Sequence, residues 1–362
     1  MSTFDTSNLE NTSGGAPNFS QGLNVGGTDI TSLVTMTEYY DQASEPGSPA
    51  GGAVWWDGTN MYQYIGDQWI IVAITVPPLP FVGGRGVFGG GYGSAYEVTI
   101  DYITIATPGN ATDFGDLTVA RATLGACSNK TRCLFGGGTD GNDSNVMDYV
   151  TVATPSNATS FGDLTDARYN VGACSDGTYG LFGGGVRTAD RNIIDYVTIA
   201  TTGNATDFGD LTVGRGQPGS CSSRTRGLFG GGNLSSATNI IDYVTIATPG
   251  NATDFGDLTT TRDALAACSD GVTGLFVSML SSLTIDAVTI DTLGNATDFG
   301  DLSATRSSLS ACSDGTKGVF GGGSYGANQN IIDYVIVSTP GNASDFGDLT
   351  VARRQLVASS GD

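Results

Sequence analysis

Arginine and aspartate recur at fixed positions along this chain, where they could form either a ring of ligand-binding charges or buried ion pairs. Every repeated unit holds one such arginine and two such aspartates, one usually in Asp-Tyr and one in Gly-Asp-Leu. Because a ligand rarely needs six identical contacts, we predict one structural Arg–Asp pair per unit, costly to break if buried. The predicted pairs draw on Arg121, Arg168, Arg215, Arg262, Arg306 and Arg353 with Asp116, Asp163, Asp210, Asp257, Asp301 and Asp348; the Asp101 series, which includes Asp286, is the alternative partner.

Side chains suited to catalysis are scarce. The sequence contains no histidine, which removes the commonest general base and the commonest transition-metal ligand. Asp-Phe-Gly occurs five times and matches the metal-binding triplet of kinases, but a catalytic residue would not recur in every unit. Close pairs such as Asp207 and Asp210 leave Ca²⁺ binding open as an alternative. We predict a protein that is not an enzyme, with no catalytic residue, metal site or cofactor.

Five of the six cysteines share one repeat position. Neighbouring equivalents would lie roughly 7–9 Å apart, too far for an undistorted disulfide. We therefore predict reduced, buried thiols that pack as small apolar groups, in a protein made in a reducing cytosol. Cys133 lies outside the series, and we expect it to be partly exposed. The series is Cys127, Cys174, Cys221, Cys268 and Cys312, with Ser359 in the sixth unit.

Asn-Ala-Thr or Asn-Ala-Ser occurs in every unit and matches the N-glycosylation sequon. Glycosylation requires a secretory route, which the sequence does not indicate. We expect instead a turn in which asparagine adopts unusual dihedral angles. The asparagines are Asn110, Asn157, Asn204, Asn251, Asn295 and Asn342.

Overall charge excludes some classes of partner. The 362 residues carry a formal net charge of −21, which would repel nucleic acid and anionic membrane surfaces. The sequence has no apolar run long enough to span a bilayer and no signal peptide at Met1, so membrane insertion is not expected. Glycine, with 55 residues, is about twice as frequent as usual, which favours short strands and tight turns.

A unit of about 47 residues must position all these side chains. Each unit is predicted to contain four short strands, which in the clearest copy surround residues 168–174, 180–184, 193–200 and 207–211. Phe-Gly-Asp-Leu marks the register with spacings of 47, 47, 47, 44 and 47 residues. It begins at Phe114, Phe161, Phe208, Phe255, Phe299 and Phe346.

Four strands per unit of this length predict a β-propeller blade, with a β-solenoid as the alternative. The repeats open on a second strand at 86–91 and end on an unpaired first strand at 353–359. In a propeller that last strand completes the first blade, whereas a solenoid gains nothing from this phase. We predict an all-β fold: a six-bladed propeller of four-stranded blades, closed by the C-terminal strand and preceded by a small β segment and an extended arm.

The order of motifs in each unit resembles the kelch repeat. A glycine-rich strand, an Asp-Tyr strand, a polar turn, an aromatic strand and an arginine follow one another through 85–362, although the aromatic residue is Phe where the family usually has Trp. In the fifth unit Val277-Ser-Met-Leu replaces the glycines and Ala287 replaces the tyrosine, so we expect that blade to be the least regular. Kelch propellers include enzymes, scaffolds and binding modules, so the fold alone assigns no function.

The front of the chain is predicted to contain an extended arm at 1–30, a small Trp-rich β module at 31–76 and a Pro/Gly linker at 77–84. The module should place strands around turns at 57–60 and 66–67. Its Gly…Trp-x-Asp…Tyr-x-Tyr…Gly-x-x-Trp pattern, like the repeated Asn-Ala-Thr-Asp-Phe-Gly-Asp-Leu, resembles structural proteins of tailed phages, especially marine ones. The resemblance implies a tail-fibre-like virion protein, made in the host cytoplasm, anchored to other virion proteins through this segment and oligomeric on the particle.

The function we predict is attachment to a host-surface glycan or receptor, or contact with another virion protein, through the propeller. The alternatives are a purely architectural adaptor or capsid decoration protein and, less favoured, a glycan-cleaving enzyme. The Ser-Asp-Gly-Thr turns resemble the sialidase Asp-box but lack its spacing and Trp. Loops between the second and third strands differ in every unit, and they should share a rim with the connections between blades. Candidate binding residues on this rim are Tyr92, Tyr96, Asp140, Asn142, Arg187, Asp190, Arg191, Asn233, Tyr325 and Asn328.

Overall fold

The computed structural model describes residues 84–277 and 283–361 and, before residue 84, only the backbone of eight short strands. The chain forms two compact units, Met1–Leu79 and Pro80–Asp362. In the first unit β1 pairs with β2, β3 pairs with β4, and β5 to β8 form one sheet in that order. These strands are β1 (Leu9–Glu10), β2 (Asn18–Phe19), β3 (Asn24–Val25), β4 (Thr28–Asp29), β5 (Tyr39–Asp41), β6 (Val54–Trp56), β7 (Met61–Ile65) and β8 (Gln68–Ile71). The turns predicted at 57–60 and 66–67 lie outside the described residues.

Six antiparallel sheets of four main strands, the blades, form a ring in the second unit. The strands in chain order are β9 (Arg85–Gly89), β10 (Thr99–Thr104) and β11 (Thr112–Asp116) in blade 1; β12 (Gly125–Ser128), β13 (Arg132–Gly136), β14 (Val146–Thr151) and β15 (Thr159–Asp163) in blade 2; β16 (Gly172–Ser175), β17 (Tyr179–Gly183), β18 (Ile193–Thr198) and β19 (Thr206–Asp210) in blade 3; β20 (Gly219–Ser222), β21 (Arg226–Gly230), β22 (Asn233–Leu234), β23 (Ser236–Thr245) and β24 (Thr253–Arg262) in blade 4; β25 (Ala266–Ser269), β26 (Thr273–Val277), β27 (Thr284–Thr289) and β28 (Thr297–Asp301) in blade 5; and β29 (Ser310–Ser313), β30 (Lys317–Gly321), β31 (Ser324–Tyr325), β32 (Ala327–Asn328), β33 (Ile331–Ile336) and β34 (Ser344–Asp348) in blade 6. The last strand, β35 (Val357–Gly361), returns to blade 1. Three of these strands are short segments of rim loops: β22 pairs with the start of β23, and β31 pairs with β32.

The C-terminal strand closes the ring, as the phase of the repeat predicted. β35 pairs antiparallel with β9, with Val357 opposite Gly89 and Gly361 opposite Arg85. It occupies the innermost position of blade 1, where β12, β16, β20, β25 and β29 lie in the other blades. The predicted six-bladed, all-β architecture is confirmed. Among the residues described, no helix is long and apolar enough to cross a membrane.

Glycine in the second strands lets neighbouring blades approach each other closely. A Cβ on Gly89 would lie 2.6 Å from the ring of Phe135 in blade 2, and that ring is fully buried. The same contact joins Gly136 to Phe182, and in blade 5 Val277 takes the glycine position and packs in a cluster with Phe320. Each of the six apolar clusters spans two adjacent blades. No unit therefore buries its own apolar face without a neighbour.

The first strands begin later than predicted. The expected strand at 168–174 is β16, Gly172–Ser175. Residues 168–171 form the crossover from the preceding blade instead, because Arg168 turns into the interior and Asn170 adopts a positive φ of 59°. The irregular segment expected in blade 5 falls at 278–282, outside the described residues.

The outermost strands are exposed sheet edges that carry many acidic residues. In β11, Asp113 and Asp116 are exposed and Phe114 between them is buried. Charges at a free edge discourage pairing with other chains. Eleven of the 36 acidic residues occupy these two positions around the ring: Asp113, Asp116, Asp163, Asp207, Asp210, Asp254, Asp257, Asp298, Asp301, Asp345 and Asp348.

Candidate functional site

The six repeated arginines form buried ion pairs with the Asp101 series. The Arg121 guanidinium lies 2.9 Å from the carboxylate of Asp148 on β14, and both side chains are fully buried. The assignment of the Asp116 series as partners is wrong, because those residues lie on the outermost strand while the arginines turn inward at the start of the next blade. The pairs are Arg121–Asp148, Arg168–Asp195, Arg215–Asp242, Arg262–Asp286, Arg306–Asp333 and Arg353–Asp101.

Each of these carboxylates also holds the crossover between two blades. Thr118, just after β11, donates its hydroxyl to Asp148 at 2.6 Å, and Arg121 also donates to the carbonyl of Phe135. Burial lowers the pKa of Arg121, and the attraction of Asp148 opposes that shift. Since no member of the six pairs exceeds 7% exposure, none of them is available to a ligand at the surface. The pairs join crossovers to blades.

The Asp116 series joins the outer strands of neighbouring blades through its backbone. The Asp116 N–H donates to Asn157 Oδ1 at 3.1 Å, and the Ala158 N–H donates to the Asp116 carbonyl at 2.7 Å. The same bonds form at all six junctions. None of the repeated asparagines has a positive φ, so the expected unusual dihedral angles are wrong. Asparagine occurs there because its carboxamide oxygen accepts a hydrogen bond from the preceding blade.

The pair considered for calcium, Asp207 and Asp210, lies on β19 at this outer edge. Asp207 is exposed and Asp210 is half-buried. Within the part of the chain that the structure describes, no group of three or more Cys, Asp or Glu side chains could hold a metal ion.

Serine hydroxyls connect the innermost strands around the central channel, a cavity of about 100 Å³. The hydroxyl of Ser175 donates to the carbonyl of Ser128 at 2.6 Å, and Ser222 donates to Ser175 at 2.7 Å. Bonds of this kind join five of the six junctions. The sequence signal was available, because a serine follows the cysteine position in every unit, but its role depends on ring closure.

All six cysteines are free and buried. Burial agrees with the prediction for the five series members, but the expected partial exposure of Cys133 is wrong, because it is fully buried. A Cβ on Gly180 would lie 2.5 Å from the sulfur of Cys127 in the preceding blade. At one junction Ser359 takes the cysteine position, and Cys133 takes the glycine position and is hydrogen-bonded by Ser359. Desolvation raises the pKa of Cys133 to about 12.

The variable loops and the crossovers share one rim, as predicted. In blade 3 the Tyr169 N–H donates to the Val186 carbonyl at 3.1 Å, and the Val186 N–H donates back at 2.8 Å. Equivalent bridges brace the loops of blades 1, 2, 4 and 6. The rim loops are therefore attached to a rigid frame.

Two predicted binding residues, Tyr92 and Tyr96, form an aromatic pair in blade 1. Their rings meet edge to face with centroids 5.3 Å apart. The Arg354 guanidinium lies 5.5 Å from the centre of the Tyr92 ring. Asn328, also predicted, reaches across from blade 6 and donates to the carbonyls of Tyr92 and Gly93 at 3.1 and 2.9 Å. These contacts hold the blade 1 loop in place.

The predicted arginines lie on a different loop, in blade 3. Arg187 and Arg191 both form ion pairs with Asp166 on the adjoining crossover, Arg191 at 3.2 Å. Asp190 pairs with Val186 through the backbone. These residues form a charged cluster separate from the tyrosines.

The remaining predicted residues are dispersed over three loops. In blade 2 the Asn142 N–H donates to Asp140 Oδ1 at 3.0 Å, and this hydrogen bond lowers the pKa of Asp140. In blade 4 Asn233 donates to Asp263 at 3.2 Å. Tyr325 in blade 6 is 69% exposed. The structure does not bring these residues into one site.

Sequence reasoning missed a ring of six residues at the channel mouth. They lie two positions after the repeated arginines, and all have φ between 52° and 59° although none is glycine. Backbone bonds link several of them, as where the Asn170 N–H donates to the Thr123 carbonyl at 2.8 Å. Such angles are costly for residues with a side chain, above all for β-branched Thr123. The ring is Thr123, Asn170, Gln217, Ala264, Ser308 and Gln355.

An open cavity of about 270 Å³ adjoins this ring. Its lining includes Tyr92, Tyr96, Tyr169, Asn170, Arg354 and Gln355. Only the first two were candidates from sequence. Tyr169 and Arg354 occupy the same crossover position in different units, one residue after the repeated arginine. The residue type at this position changes from unit to unit, and that variation could have identified them as candidate binding residues.

The repeated arginines, asparagines, serines and cysteines are all used in contacts that hold the propeller together. Residues that differ between blades lie on the rim, where loops and crossovers meet. The chain matches no protein-family model and no curated protein.

Proposed function

We propose that this protein is a non-enzymatic structural protein of a phage virion, whose propeller presents its variable rim to a partner. One contrast carries the proposal: the repeated polar groups join blades, whereas the residues that differ between blades lie together on one rim. Loops on a rigid frame are where binding function concentrates. The virion assignment is supported by the resemblance of the front segment and of the repeat to phage structural proteins.

The proposed partners differ at the two ends of the chain. The front segment attaches the chain to other virion proteins, and the rim contacts a host-surface glycan or receptor. Copies displayed side by side on a particle must not pair through their exposed sheet edges. The acidic outer strands meet this requirement, because like charges on such edges oppose pairing between neighbouring molecules. The aspartates at these edges are a substantial part of the net charge of −21.

Location on the particle tests the virion assignment. Antibodies raised against the propeller, visualised with gold in negative-stain images of purified phage particles, should label a defined position. Particles that carry no label, although the chain is made during infection, would refute the assignment.

Rim substitutions test the proposed contact face. Arg187→Ala, Arg191→Ala and Tyr325→Ala together should weaken adsorption of the purified chain to host cells without lowering the melting temperature. These side chains are at least partly exposed, and their surface ion pairs contribute little to stability. Lys130→Ala, on an exposed turn at the opposite rim, is the control. Normal adsorption of the triple variant combined with failed particle assembly would favour the architectural adaptor. If only Lys130→Ala reduced adsorption, the contact would lie on the opposite rim.

A further inference from the structure

We propose that the 270 Å³ cavity on the rim is a saccharide pocket that accepts one pyranose unit. This inference deepens the proposed function and rests on its assignment of the rim as the binding surface. The cavity lies where the blade 1 and blade 2 loops meet the crossovers that lead into blades 1, 2 and 3. Its volume is near the lower end of the range of small-ligand pockets, roughly 300 Å³ and above.

Three tyrosines form the aromatic part of the pocket. Tyr92 and Tyr96 are perpendicular to each other, so one can offer its face while the other offers its edge. Tyr169 comes from the crossover into blade 3. All three are partly buried, which leaves the rings held in place yet accessible. Tyrosine combines an apolar ring with a hydroxyl that donates and accepts, and this suits a sugar ring, which has apolar C–H faces and a polar rim.

The pocket breaks the symmetry of the ring, which indicates a ligand instead of a role in the frame. In the other described blades the position of Tyr92 holds Thr139, Val186, Asn233 and Ser324. The position of Tyr169 holds Ala122, Gly216, Asp263, Ser307 and Arg354. Since blades 2, 4 and 6 keep the same bridge between loop and crossover without tyrosine, the bridge does not require the aromatic side chains.

Polar groups from the channel-mouth ring complete the pocket. The Asn170 Oδ1 atom is buried and accepts no hydrogen bond. The carboxamide could therefore rotate toward a ligand without breaking a hydrogen bond to Oδ1. Asn170 keeps a side chain at φ 59°, where glycine would relieve the backbone cost. The Thr139 hydroxyl oxygen accepts the Gly141 N–H at 3.0 Å, which leaves its O–H to donate.

The composition of the lining favours a polyol over other small ligands. Hydroxyls, carboxamides and aromatic rings form it, and no acidic side chain is among them. The one charged group is the Arg354 guanidinium beside Tyr92, which can donate to a sugar hydroxyl or to the carboxylate of a uronic acid. The shared chemistry is the pyranose ring, and neutral and acidic sugars are separate arms of the test.

Saturation-transfer NMR on the full chain tests the proposal. The probes are the methyl glycosides of glucose, galactose, mannose and N-acetylglucosamine. The methyl glycoside of galacturonic acid, with its carboxyl group unesterified, is the acidic probe. At least one should give a saturable signal. Tyr169→Ala and Asn170→Gly should each raise its dissociation constant at least tenfold, because the first removes a ring and the second removes the carboxamide from a backbone that suits glycine.

Two matched variants keep the result specific. Lys130→Ala removes an exposed side chain on the opposite rim, outside the pocket, and Gln217→Gly makes the same change as Asn170→Gly one blade further on, at φ 58°. Both should leave the dissociation constant within twofold, with melting temperatures unchanged. No saturable signal from any probe, or equal losses in pocket and control variants, would overturn the pocket. Sugar binding without labelling of particles would instead overturn only the virion assignment, so the two failures are distinguishable.

Discussion

The contact between cysteine and glycine at the blade junctions predicts an unusual pair of compensating substitutions. Five junctions place a cysteine sulfur over a glycine, and one places Ser359 over Cys133. Ser359→Cys alone and Cys133→Gly alone should each destabilise the propeller. The double variant rebuilds the arrangement of the other five junctions, so it should recover most of the loss.

The magnitude follows from the packing at the equivalent sites. A Cβ on the five glycines would lie 2.5 to 2.9 Å from the facing sulfur, so that position accepts no side chain opposite a cysteine. Ser359→Cys would therefore overpack the junction at a cost of about 2 kcal/mol. Cys133→Gly removes a fully buried side chain and adds a strand glycine, also costing about 2 kcal/mol. The double variant keeps only the glycine cost of about 1 kcal/mol, which gives a coupling of about 3 kcal/mol.

Equilibrium urea unfolding of the four proteins, under reducing conditions and with a common slope, measures this coupling. Ser359→Cys combined with Gly274→Ala is the matched control, because Gly274 faces Cys221 at a different junction. That pair should be additive. The reasoning is refuted if Ser359→Cys and Cys133→Gly are also additive within about 0.5 kcal/mol.

Three further predictions concern closure, charge and the thiols. Deletion of residues 353–362 removes β35 and the partner of a buried aspartate, so calorimetry should show loss of the cooperative transition; a truncated chain that melts as sharply and as high as the intact one would contradict closure. Asp242→Asn leaves Arg215 buried without its charged partner and should cost about 3–5 kcal/mol in urea unfolding, whereas Asp257→Asn on the outer strand should cost less than about 0.5 kcal/mol; equal costs would contradict the pairing. Thiol titration at pH 8 should find no reactive cysteine in the folded chain and six after denaturation, since all are buried. Burial raises the thiol pKa above its ordinary value of 9.0, so thiols lose their protons at lower pH in the unfolded chain than in the folded one. The free energy of unfolding should therefore fall by about 1.4 kcal/mol per thiol for each pH unit above 9. Cys174→Ala should reduce this slope.

Periodicity in the amino-acid sequence determined the architecture of this protein. Strand number, blade number and ring closure follow from motifs that lie within single units and from the phase at residues 85–91 and 353–361. The burial of the series cysteines and the shared rim of loops and crossovers could be predicted for the same reason. The candidate site was predictable only where variation falls inside a recognised loop, as at Tyr92 and Tyr96.

Contacts between units were decided by the tertiary structure alone. Arg121 follows Asp116 by a few residues, yet it pairs with Asp148 in the following blade, because the crossover turns the arginine inward. Cys133 falls outside the cysteine series in sequence, yet closure brings Ser359 from the far end of the repeats against it. The cavity likewise joins Tyr169 to Arg354 only in the closed ring. A repeat pattern specifies the unit, whereas packing across a junction depends on which units the ring makes neighbours, and that relation is three-dimensional.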